Sequence, residues 1–100
     1  MSEISKDGST VTIKPCCDIV ASVLDGLKAE LKGILEGGPS KLIIDFEGID
    51  MIDSMGIGIL IATYNSLKKQ NATLELTNVS AEIANLLRNM RLNQYFHIYG

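Results

Sequence analysis

Between residues 24 and 35, leucine and isoleucine recur at steps of three and four. Leu24, Leu27, Leu31, Ile34 and Leu35 form a stripe, and Lys28, Glu30, Lys32 and Glu36 lie off it. That period belongs to an amphipathic helix with one buried face. Ser22 is placed to cap it, with Asp25 three residues on in a capping-box arrangement, and Gly37-Gly38-Pro39 ends it. Gly26 and Gly33 lower helix propensity within it, which predicts compensating close packing. A second stripe, Ile57, Leu60, Ile61, Tyr64 and Leu67, runs into Lys68, Lys69 and Gln70, where cations suit a helix C-terminus. A third helix starts after Ser80 as cap, with Ile83, Leu86, Leu87 and Met90 on one face.

The intervening segments have period two or are short apolar runs. In Ile4 to Lys14, Val11 and Ile13 alternate with Thr10, Thr12 and Lys14, and Asp7-Gly8 marks a tight turn. The pattern predicts a hairpin whose second strand is half buried, ended by Pro15, which has no N–H to donate. Lys41 to Phe46, "KLIIDF", is nearly continuous in apolar character and predicts a strand buried on both faces. Thr73 to Thr77 alternates as a strand, and Tyr95 to Tyr99, "YFHIY", predicts the last one. Strands that alternate with helices imply parallel pairing through right-handed crossovers. The expected fold is a single α/β domain over residues 1–100, with a mixed sheet, an N-terminal hairpin and three crossover helices.

Composition narrows the function. The net charge is −3, which disfavours nucleic acid or an anionic membrane as partner, since both need clustered Lys and Arg. No apolar run has the length of a membrane span and no secretory signal opens the chain, so a cytoplasmic location is expected. Cys16 and Cys17 are adjacent, a poor arrangement for an ordinary disulfide, and they are expected to be reduced and structural.

Enzymatic readings find little to stand on. Asp45, Glu47, Asp50 and Asp53 gather around the end of the Lys41–Phe46 strand, where open parallel sheets place their sites, so a small acidic metal-dependent enzyme is one alternative. Against it, no Lys or Arg between Lys41 and Lys68 could hold a phosphate, and carboxylates in such a connection are commonly solvated or capping groups. His97, the only histidine, has no evident Ser or Cys partner. There is no GxGxxG, P-loop or GxSxG, so neither a cofactor nor a metal is expected and no catalytic residue is assigned.

The unusual stretch is "DSMGIG", Asp53 to Gly58, between a strand and a helix. Either Asp53 or Ser54 can cap that helix. Neither cap explains Gly56 and Gly58, which weaken a first turn unless something approaches its backbone closely. A serine among small residues at a helix start is accessible. A phosphate on it would lie near free amides and the positive end of the dipole, and would change the surface charge by about −2.

"DSMGIG" resembles the D-S-[ST]-G-[LIV]-G signature of the STAS domain, named for sulfate transporters and anti-sigma factor antagonists, and the order of elements from Ile4 to Tyr99 is similar to that family as well. The resemblance implies a stand-alone antagonist that binds an anti-sigma factor, a serine kinase of the histidine-kinase-like ATPase fold. The kinase would phosphorylate the position matching Ser54, next to Asp53; the phosphorylated form would release it, and a phosphatase would restore binding. The partner surface it implies comprises Asp18, Ile19, Asp53, Met55, Gly56, Ile57 and Gly58, with Met55 and Ile57 in or bordering an exposed contact patch. Two departures stand out. Met55 replaces the motif's second hydroxyl, and "CCDI", Cys16 to Ile19, replaces the family's G-E-L-D loop, so that Ile19 stands where the pocket aspartate would be and Asp18 comes one place early, pointing elsewhere. A STAS interaction module of another signalling assembly, chemotaxis or stressosome-like and without phosphorylation, is the alternative within the family.

Overall fold

In the computed structural model, which describes residues 2–15 and 17–100, the chain runs β1 (Glu3–Asp7), β2 (Thr10–Lys14), α1 (Leu24–Glu36), β3 (Lys41–Asp45), α2 (Ser54–Lys69), β4 (Thr73–Thr77), α3 (Ala81–Asn89) and β5 (His97–Ile98). The strands form one sheet in the order β1-β2-β3-β4-β5. β1 and β2 are antiparallel; every later neighbour is parallel. Gly8, at φ +64, opens the hairpin turn, a conformation that favours glycine, so the turn sits one residue later than Asp7-Gly8 suggests.

Each parallel connection joins adjacent strands through one helix, and right-handed crossovers of that kind put all three helices on the same face of the sheet. The burial pattern agrees. Val11, Ile13, Leu42, Ile44, Leu74 and Leu76 point into the core, and the alternate residues of β2, β3 and β4 are half-buried or exposed. Pairing sets Thr12, Ile43, Glu75 and His97 in one row across the open face. The expectation that Lys41–Phe46 is buried on both faces is therefore corrected: Ile43 is only half-buried, because no helix covers its side.

Other local expectations are also corrected. Ser22 does not cap α1; it falls inside a 3-10 turn, Ala21–Val23, and Val23 is the capping position without a side-chain bond. The leucine stripe of α1 is buried as expected at Leu24, Leu27, Leu31 and Ile34. A Cβ added at Gly26 or Gly33 would meet nothing within 4 Å, so no close packing compensates those glycines. In α2 the inward positions are Ile57, Leu60, Thr63 and Leu67, along with Gly56 and Ile59; Ile61 faces outward and Tyr64 is half-buried. Ser80 caps α3 through Ile83 N, at 3.3 Å, but Leu86 and Met90 lie outside its buried face. The last strand is only His97–Ile98, because a 3-10 turn, Leu92–Gln94, takes up the preceding residues. No helix among the described residues is long and apolar enough to cross a membrane.

Candidate functional site

At the C-terminal end of β3 the chain passes through residues 46–53 and enters α2. Two side chains organise that passage. Asp53, extended at φ −100 and ψ −179, is the N-cap: its Oδ1 accepts from Gly56 N at 2.9 Å. Its Oδ2 accepts from Ala21 N at 3.1 Å, 32 residues away in sequence. The carboxylate of Asp18 is the second organiser, with Oδ1 accepting from both Asp50 N (2.9 Å) and Met51 N (3.1 Å). Between them, Ile19 N donates to Met51 O at 3.0 Å and Ile19 O accepts from Asp53 N at 3.2 Å, a short parallel bridge of Ile19 to Ile52.

The clasp is seated on apolar ground. Ile19 is 1% exposed, and Phe46, Ile49 and Ile52 are buried beneath it. It closes only because residue 56 has no side chain: a Cβ there would lie 2.5 Å from Ile19 O and 2.8 Å from Ile52 Cγ1. The close approach expected at the glycine pair is thus internal at Gly56. At Gly58 a Cβ would meet nothing within 4 Å, and the residue is exposed.

Asp53 settles the capping question. The carboxylate is the cap, and Ser54, the first residue of α2, is exposed beside it. Of the other residues expected at a partner surface, Met55 is exposed (57%) and Gly58 is exposed. Ile57 is 6% exposed and belongs to the core, which corrects its placement in an exposed patch and leaves it bordering one. Ile19 and Gly56 are buried, while Asp18 and Asp53 are half-buried and turned toward backbone amides. Met51, which sequence patterning did not single out, is 59% exposed beside the site. Its only sequence signal is its position between the buried Ile49 and Ile52, with Asp50 also outward.

The acidic residues do not converge. Asp45 Oδ1 accepts from Glu47 N and Asn78 Nδ2, both at 2.9 Å, and Glu47 pairs with Lys14 at 2.7 Å. Among the described residues no group of three His, Cys, Asp or Glu side chains could hold a metal ion. His97 lies exposed on β5 with its ring stacked on Tyr99 at 6.1 Å. Cys17 is a free, exposed thiol; Cys16 lies outside the described residues.

The family model of the STAS domain matches residues 2–100. No curated protein matches the chain in sequence. Among solved structures, a candidate anti-sigma factor antagonist of Thermotoga maritima superposes with a TM-score of 0.92 at 16% identity, over 99% of this chain and 86% of that one. The anti-sigma factor antagonist SpoIIAA in its unphosphorylated form superposes at 0.76 and 17% identity, over 100% and 87% of the two chains. The phosphorylated form of SpoIIAA, the Bacillus cell fate determinant, gives 0.77 and 17%, over 98% and 90%. At these identities the likeness is one of fold.

Proposed function

The chain belongs to the STAS domain family, and from that premise and the geometry at Ser54 we propose that it is an anti-sigma factor antagonist switched by phosphorylation. In this reading it binds an anti-sigma factor serine kinase of the histidine-kinase-like ATPase fold. That kinase transfers the γ-phosphoryl group of ATP to Ser54 Oγ, releasing ADP and the hydroxyl proton, and the modified domain dissociates. A phosphatase hydrolyses the phosphate and resets it. The domain is the substrate and contributes no catalytic residue.

The observation that carries the reading is the division between Asp53 and Ser54. Asp53 takes the capping amide, so Ser54 is left exposed at the start of α2, and among the described residues its hydroxyl makes no hydrogen bond. A phosphate there gains about 0.3–1 kcal/mol from the helix dipole at an exposed site. In an interface it must shed water next to an existing carboxylate. A partner without an Arg or Lys at that point loses affinity, and a net cost of ~3 kcal/mol weakens binding more than a hundredfold. The partner face proposed is Ser54, Met55 and Gly58 with Met51 beside them, and Asp18, Ile19, Asp53, Gly56 and Ile57 support it from behind. SpoIIAA, solved with and without its phosphate, fits this chain equally well in both forms, which supports a switch that works without remodelling the fold.

The test incubates the domain with serine kinases of its source organism and ATP, maps the modified residue by mass spectrometry, and measures the affinities of Ser54→Ala and Ser54→Asp by calorimetry. Ser54→Ala is expected to bind and resist modification, and Ser54→Asp to bind at least tenfold more weakly, a change of about 1.4 kcal/mol. Phosphate elsewhere, or equal affinity for wild type and Ser54→Asp, would reduce Ser54 to a helix-start residue. A bound partner with no phosphate on Ser54 would instead favour the non-phosphorylated signalling assembly.

A further inference from the structure

We propose that Asp18 is a positioning residue for the Ser54 switch, acting as a hydrogen-bond acceptor and not as a charge shown to the partner. The inference rests on the reading of Ser54 above, but its structural half stands apart from it.

Asp18 Oδ1 accepts from the amides of two consecutive residues, Asp50 and Met51, which lie four and three residues before Ser54. The same loop then binds the next part of the passage through Ile19, to Met51 O and Asp53 N, and through Ala21 N, to Asp53 Oδ2. In all, five hydrogen bonds tie residues 18–21 to residues 50–53. Asp18 supplies the acceptor for two of them, and α2 begins where the tied segment ends. Remove that acceptor and two loop amides must turn to water, so the backbone that delivers Ser54 samples more conformations. A serine presented in fewer productive orientations reacts more slowly once bound, because proximity and orientation are what a kinase demands of its substrate hydroxyl.

Charge and acceptor can be separated by substitution. Asp18→Asn removes the charge and keeps a carbonyl oxygen that can accept two bonds. Asp18→Glu keeps the charge and displaces the acceptor by a methylene. Asp18→Ala removes both. If Asp18 positions the loop, Asn resembles wild type, and Glu resembles Ala. A direct charge contact with the partner gives the opposite order.

The experiment has two arms. Amide hydrogen exchange is followed at Asp50 and Met51 in the isolated domain; Asp18→Ala and Asp18→Glu are expected to exchange about tenfold faster than wild type and Asp18→Asn within about threefold of it. Steady-state phosphorylation is measured with the kinase that modifies wild type and with ATP; kcat is expected to fall about tenfold in Ala and Glu with KM little changed, and to be rescued in Asn. If Ala does not fold, the Asn and Glu pair still decides the question. Wild-type exchange in Glu, wild-type kcat in Glu, or Asn as defective as Glu would overturn the proposal. If no kinase modifies wild-type Ser54, the functional reading fails by itself, and the exchange arm alone judges whether Asp18 holds the loop.

Discussion

Gly56 and Gly58 lie two residues apart in the same helical turn, and alanine should move stability in opposite directions at the two. At Gly58 the new methyl meets nothing within 4 Å. It removes only the helix penalty of glycine, a gain of about 0.5–1 kcal/mol. At Gly56 the same gain applies, but the methyl would sit 2.5 Å from Ile19 O and 2.8 Å from both Ile19 Cγ2 and Ile52 Cγ1. The nearest obstacle is backbone, and that carbonyl accepts from Asp53 N at 3.2 Å, so relief means opening the bridge beneath the cap. Overpacking of a closed site costs ~1–3 kcal/mol or more, and exposing the bridge adds about 1 kcal/mol. The net expectation is a loss of about 2–3 kcal/mol for Gly56→Ala against a gain of up to ~1 kcal/mol for Gly58→Ala. Urea unfolding followed by circular dichroism resolves both. With a slope of roughly 1–3 kcal/mol per molar, Gly56→Ala should lower the midpoint by about 1 M and Gly58→Ala should raise it by a few tenths. Equal shifts, or a Gly56→Ala midpoint within error of wild type, would refute the packing argument. A Gly58→Ala variant that is more stable yet binds its partner more weakly would place the partner against the bare backbone at that position.

Met55→Asp should leave the unfolding free energy within about 0.5 kcal/mol of wild type while weakening partner binding, because Met55 is exposed. Ile57→Ala should cost about 2–4 kcal/mol, as truncation of a buried core residue does; denaturation and calorimetry on the pair check both, and a large stability loss in Met55→Asp would place Met55 in the core. Replacing Cys16 and Cys17 together by serine should preserve the thermal midpoint, and reductant should not shift the wild type, since adjacent cysteines fit an ordinary disulfide poorly and Cys17 is free and exposed. A wild-type midpoint that falls with reductant, and does not in the variant, would contradict it.

Much of the fold was legible where one period dominates. Thr73–Thr77 alternates cleanly, and the strand occupies those residues. The leucines of α1 likewise named its buried face. Legibility ended where a residue's surroundings come from distant chain. Ile43 reads as core because its neighbours are apolar, yet a sheet whose crossovers all lie on one face leaves it half uncovered. Ile61 fits the spacing of α2's stripe as well as Thr63 does; packing chose Thr63 for the inside. At Tyr95 and Phe96 the aromatic run suggests a strand, but their amides bond back to Leu92 O and form a turn before β5 begins. The site was readable as a motif and not as a mechanism of support. Asp53 and Ser54 are both good caps, and what separates them is Ala21, 32 residues upstream, whose amide takes the second oxygen of Asp53.

That separation determines how the proposed switch operates. Had Ser54 been the cap, a phosphate on its oxygen would have disturbed the bond that starts α2, and losing a cap costs ~0.5–2 kcal/mol. Modification would then alter the helix start, and any loss of binding would mix fold with surface. With the cap on Asp53, held from two sides by Gly56 N and Ala21 N, the helix start stays intact while the hydroxyl beside it gains up to two negative charges. The first-turn amides that no helical carbonyl reaches remain near that phosphate and stabilise it in the free domain. Its penalty therefore arises only when a partner covers it, next to the fixed carboxylate of Asp53. The same arrangement explains why Ser54, the residue proposed to carry the switch, is exposed while those that place it, Ile19 and Gly56, are buried. Changing a supporting residue alters the geometry of presentation, whereas phosphorylating Ser54 in this scheme alters only the charge presented.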